Sequence, residues 1–85
     1  MATATKTLSA ELAGKGIRVN AVAPGVIDTA MTSVLSEEIL NRQLANADIK
    51  RKGTPAEVAE VILFLASDRA SYVTGQVVRV DAGIG

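Results

Sequence analysis

The residues best suited to chemistry lie in one short run, Pro24-Gly25-Val26-Ile27-Asp28-Thr29. Proline and glycine let main-chain groups approach a ligand closely, and a threonine hydroxyl can bond a phosphate or an amide. On pattern alone the run is also an ordinary strand-ending turn. A second cluster, Lys50-Arg51-Lys52, could meet an anionic carrier or a phosphate, although a short charge run is commonly just solvated. Asp28, Asp48 and Asp81 are too scattered for a metal constellation and read as solvated acids. With no cysteine and no histidine, the chain has no thiolate, no imidazole and none of the usual zinc ligands. Gly14-Lys15-Gly16 is a turn and not a dinucleotide fingerprint, because the third glycine would fall at Val19. Tyr72, the one tyrosine, is expected to pack its ring.

These residues need elements to hold them. Residues 2–13 read as a helix with Leu8 and Leu12 on one face below Ala4, stopped by a left-handed Gly14. Residues 17–23 read as a strand that is apolar on both faces in its second half, closed by Pro24-Gly25. A loop, residues 26–34, follows. Ser36 caps a helix with Glu37 and Glu38 in its first turn and Ile39, Leu40 and Leu44 on its apolar face. Thr54-Pro55-Ala56-Glu57 is a capping box with proline at the first helical position, opening a helix with Val58, Val61, Ile62, Phe64 and Leu65 inward. A polar connection, residues 68–75, leads to a strand at 76–80. Helix, strand, helix, helix, strand is an α/β order, and strands joined through helices lie parallel.

Eighty-five residues, 48% of them hydrophobic, allow one small domain or part of one. Two parallel strands are too few to cover each other, so another polypeptide or further copies of the chain must complete the sheet. Nine basic and nine acidic residues balance to zero, and two aromatics cannot make a stacking platform, so a nucleic-acid partner is not expected. No apolar run reaches membrane-spanning length and the N-terminus lacks the apolar core of a signal peptide, which makes a cytoplasmic location the expectation.

The run from Ile17 through Pro24-Gly25-Val26-Ile27-Asp28-Thr29 to Met31 resembles the late segment of short-chain dehydrogenases/reductases. Lys6-Thr7-Leu8-Ser9-Ala10-Glu11-Leu12, Thr54-Pro55-Ala56-Glu57-Val58-Ala59, Phe64-Leu65-Ala66-Ser67-Asp68 and Tyr72-Val73-Thr74-Gly75-Gln76 carry the likeness along the rest of the chain. The flavour is that of 3-oxoacyl-acyl-carrier-protein reductase-like members. The resemblance implies that residues 1–85 are a single partial domain, the C-terminal part of a Rossmann-like doubly wound parallel sheet. It implies NAD or NADP as cofactor, with Pro24, Gly25, Ile27 and Thr29 on the cofactor loop. The Ile27 backbone would meet the nicotinamide carboxamide, and the Thr29 hydroxyl would reach the carboxamide or pyrophosphate. Residues 32–52 would be the substrate side, with Met31, Leu35 and Leu44 as contacts, while Arg18 and Asn20 would be structural. The family's Ser and Tyr-x-x-x-Lys have no counterpart, since Tyr72 is followed four residues on by Gln76. The resemblance therefore implies an inactive chain with doubtful tight cofactor binding and no catalytic residue of its own, completed by a missing N-terminal part. It also implies a homo-oligomer, and a non-catalytic oligomerisation module is the alternative.

Overall fold

The computed structural model describes residues 1–84. Its elements are α1 (Ala2–Leu12), β1 (Ala21–Pro24), α2 (Ala30–Ser33), α3 (Glu37–Leu44), α4 (Pro55–Ala66) and β2 (Val77–Val80), with 3₁₀ turns at Ala13–Lys15 and Asp68–Ala70. Among the described residues β1 and β2 form a two-stranded parallel sheet, Ala21 opposite Val77 and Pro24 opposite Val80. The α/β reading and the parallel pairing hold. The expected boundaries hold only in part.

The first strand is shorter than its apolar pattern suggests. The stretch 17–20 is diverted by polar groups before the ladder begins. Thr74 Oγ1 accepts the Val19 N–H at 3.0 Å, and the Val19 carbonyl accepts from Gly75 at 2.7 Å. The Asn20 side chain bridges the Val73 carbonyl (2.9 Å) and the Gln76 N–H (3.1 Å). Arg18 donates to the Leu65 carbonyl at 2.7 Å and the Ser67 carbonyl at 3.0 Å, satisfying main-chain acceptors where α4 ends. The structural role expected of Arg18 and Asn20 is what the geometry gives them.

Helix α1 buries only part of the face its leucines mark. Thr5 and Ser9 are buried and Leu12 is half-buried, whereas Leu8 is 46% exposed. The reason is close approach. Ser9 Oγ lies 2.7 Å from Thr74 Oγ1, and a Cβ on Gly75 would sit 3.2 Å from that same Ser9 oxygen. A leucine at either place would push the helix off the turn that feeds β2. The helix also runs past the predicted stop, through a 3₁₀ turn, and the left-handed glycine is Gly16 (φ +74°), not Gly14.

The other helices start where their caps lie. Ser36 accepts the Ile39 N–H at 3.2 Å, and the Thr54 hydroxyl and Glu57 carboxylate reciprocate across the first turn of α4 at 3.1 and 2.9 Å. The supposed loop after β1 contains a one-turn helix, α2. Among the described residues the buried apolar ones are few: Leu44, Ala47, Leu65 and Ala70. Ile62, Leu63 and Phe64 on α4 are about half exposed, because two strands offer too little surface to take a whole helical stripe. Tyr72 packs on nothing; it is fully exposed at the tip of its turn.

Candidate functional site

The four cofactor-loop candidates follow one another off the end of β1. Pro24 closes the strand, and the Gly25 N–H continues the ladder to the Val80 carbonyl at 2.9 Å. Gly25 is required by its neighbour. A Cβ there would fall 2.8 Å from Asp81 Cβ and 2.9 Å from Asp81 Cα, and a backbone atom cannot swing away. Gly25→Ala is expected to cost about 1–3 kcal/mol in a urea or thermal melt. Gly14→Ala, with no atom within 4 Å of the new carbon, should change stability by less than about 0.5 kcal/mol. Equal losses in the two variants would contradict the steric argument.

Ile27 forms an isolated parallel bridge with Gly53. Gly53 donates to the Val26 carbonyl at 2.9 Å and accepts from the Asp28 N–H at 2.8 Å. In this pattern the N–H and C=O of Ile27 itself both point away from Gly53, side by side on the outer edge. The Ile27 carbonyl accepts the Thr32 hydroxyl at 2.7 Å, and among the described residues the Ile27 N–H donates to none. Thr29 is exposed at the start of α2, its N–H donating to Thr32 Oγ1 at 2.9 Å. One main-chain donor and one main-chain acceptor with a second lone pair thus lie side by side on this edge, with the exposed Thr29 two residues on. This donor–acceptor pair matches the two edges of a primary carboxamide.

The charged candidates are spent within the chain. Lys50 donates to the Ala45 carbonyl at 2.6 Å, just past α3. Arg51 grips both oxygens of Glu57 at 2.9 Å each, and Lys52 pairs with Asp28 at 3.1 Å. Lys50, Arg51 and Asp28 stay exposed and Lys52 is half-buried, so the run and Asp28 are solvated as expected, with surface ion pairs added. Asp81 is no solvated acid: its 14% exposed side chain pairs with Arg79 at 2.7 Å and accepts the Gly83 N–H at 3.1 Å. Among the supposed substrate contacts, Leu44 is core, Leu35 is half-buried and Met31 is exposed.

The Arg51 guanidinium, aided by the Thr54 N–H, holds the Glu57 carboxyl down at about 2, against an ordinary value of 4.5. A lowered native pKa contributes stability fully above about 4.5, and that stability is lost as pH falls through about 2. Both side chains are about half exposed, so acid titration of unfolding should show only a small loss across that window. In Glu57→Gln that part of the pH dependence should be absent. An identical acid limb in the two proteins would exclude the pair as its source.

Sequence reasoning missed three residues that shape this loop: Gly53, Thr32 and Asp81. Thr32 was legible, since a hydroxyl residue three positions after Thr29 is a capping spacing. Gly53 and Asp81 reach the loop only through the fold.

This loop lies beyond the carboxyl end of a parallel strand, the place where open α/β sheets bind ligands. The family model described as enoyl-(acyl carrier protein) reductase matches residues 1–85, and the chain belongs to that family of short-chain dehydrogenases/reductases. It is 58% identical over 80 residues to the 3-oxoacyl-[acyl-carrier-protein] reductase of Thermotoga maritima, an alignment covering 94% of this chain and 32% of that protein. It is 52% identical to the Aquifex aeolicus reductase of the same name, again over 94% and 32%. The crystal structure of a 3-oxoacyl-[acyl-carrier protein] reductase from Brucella melitensis superposes with a TM-score of 0.94 at 46% identity, over 98% of this chain and 31% of that one. The chain thus spans about a third of the length of the relatives it matches, and its fold is part of a Rossmann-like sheet.

Proposed function

We propose that this chain is the segment of an NAD(P)-dependent carbonyl reductase that holds the nicotinamide end of the cofactor. The supporting observation is the outward-facing N–H and C=O of Ile27, placed beyond β1 by the bridge to Gly53. The N–H would donate to the carboxamide oxygen, the carbonyl would accept from its amide nitrogen, and the Thr29 hydroxyl would add a further bond. Pro24 and Gly25 would set the loop's departure from the strand. The reduced nicotinamide, when bound, supplies the hydride. The names of the relatives suggest a 3-oxoacyl thioester on acyl carrier protein as substrate. Amide spectra of the chain with NADP⁺ and NAD⁺ at millimolar concentration test this reading. The Ile27 amide should shift with at least one of them, and a shift confined to residues remote from the 24–29 loop would exclude it. A non-catalytic oligomerisation role is the second reading, favoured by the exposed Ile62, Leu63 and Phe64 of α4.

A further inference from the structure

The bridge that orients Ile27 consists of only two main-chain hydrogen bonds. Its packing is incomplete on one side. A cavity of about 130 Å³ lies beneath it, lined by Ile27, Gly53, Arg51 and Glu57 among others. The Ile27 side chain packs over Gly53, where an added Cβ would lie 3.1 Å from Cδ1, but the open space beside it supplies no further contacts.

Polar groups frame it instead. Arg51 Nη1 and Nη2 take the two Glu57 oxygens at 2.9 Å, and Nη1 also donates to the Lys52 carbonyl at 3.0 Å. Glu57 Oε1 accepts the Thr54 N–H at 2.9 Å. Lys52 Nζ reaches across to Asp28 Oδ1 at 3.1 Å. Residues on both sides of Gly53 are therefore tied to the first turn of α4, and the neighbouring cation is tied to Asp28, the residue after Ile27. The guanidinium–carboxylate contact has the two-pronged geometry that confers direction as well as attraction. Its side chains are 55% and 46% exposed, so its effect on global stability is small and its influence is local.

We propose that Arg51 and Glu57 are positioning residues that clasp Gly53 against the Val26 and Asp28 main chain and so aim the Ile27 donor and acceptor. The functional consequence rests on the nicotinamide reading above; the clasp itself does not.

A double-mutant cycle of Arg51→Gln and Glu57→Gln separates the two. Glutamine at position 57 can still serve the capping box, so that variant removes the charge pairing and spares the helix start. Hydrogen exchange at the Asp28 and Gly53 amides reports the bridge, with the Ala21 and Gly25 amides of the ladder as internal reference. Each single variant should lower protection at Asp28 and Gly53 about three- to tenfold, with the reference amides unchanged. The double variant should be no worse than either single one. Unchanged protection, additive losses, or equal loss at the reference amides would overturn the clasp. The unmutated chain gives the same test should a variant not fold: about 1 M salt should selectively reduce protection at Asp28 and Gly53. Added NADP⁺ then distinguishes the readings. A shift at Ile27 that weakens in the variants supports the positioning role. A shift of equal size in the variants overturns it, whereas a silent Ile27 beside a coupled Arg51–Glu57 pair overturns the nicotinamide reading and leaves the clasp standing.

Discussion

The chain alone should oxidise no NADPH or NADH above the blank rate with any ketone or 3-oxoacyl thioester. Carbonyl reduction needs a proton donor at the developing alkoxide as well as a bound hydride source. Tyr72 is the only tyrosine, with Gln76 rather than a lysine four residues later, and its ring stands fully exposed. No histidine or cysteine can replace it. The cofactor contacts argued from the structure amount to one loop, with no glycine-rich phosphate cradle in the sequence, so binding should be weak as well. The measurement is absorbance at the reduced nicotinamide band across a panel of carbonyl compounds. Turnover that follows the protein through purification and disappears with Gly25→Ala would refute the expectation.

The second large effect concerns assembly. A folded chain of 8.8 kDa normally exposes about 4,800 Å², and 85 residues normally have a radius of gyration near 12 Å. This one exposes 6011 Å², has a radius of gyration of 15.3 Å and measures 49 × 23 × 23 Å. The excess is about 1,200 Å². If roughly half of it is apolar, at about 25 cal/mol per Å², leaving it wet forfeits on the order of 15 kcal/mol, an upper bound. That equals the whole stability of an ordinary domain. The cost is spread over exposed Leu8, Ile17, Met31, Val34, Ile62, Leu63 and Phe64, among others. Self-association is the remedy open to the purified chain, and a net charge of zero does little to oppose it. Sedimentation equilibrium at low micromolar concentration should give a mass at least twice that of the monomer, and the melting temperature should rise with concentration. A monomer whose cooperative unfolding ignores concentration would defeat the argument.

What the sequence made legible was what short-range chemistry decides. The α4 start at Thr54-Pro55 and the Ser36 cap were readable because a cap joins residues three apart, and both lie where they were expected. The parallel pairing of β1 and β2 followed from the helices between them. The loop at Pro24, Gly25, Ile27 and Thr29 was located, but the means by which it is held was not. Gly53 and Asp81 meet that loop only after the chain has crossed over. The leucines of α1 and the Phe64 side of α4 misled for one reason: an apolar stripe says that a face wants cover, not that this chain supplies it. Ser9 on α1 was overlooked because a small polar residue does not advertise burial. Its value lies in letting a helix approach Gly75.

The polar stitching between the two ends of the chain has a consequence for how the molecule acquires its shape. Asn20 bonds Gln76 across 56 positions, and Ser9 meets Thr74 across 65. Within these 85 residues, β1 pairs with β2 and α1 finds its seat only once residues 74–80 have joined them. The caps of α3 and α4 can form early, but the sheet must wait for the closure of a long loop. During that interval the apolar edge of β1 is open to whatever strand arrives first.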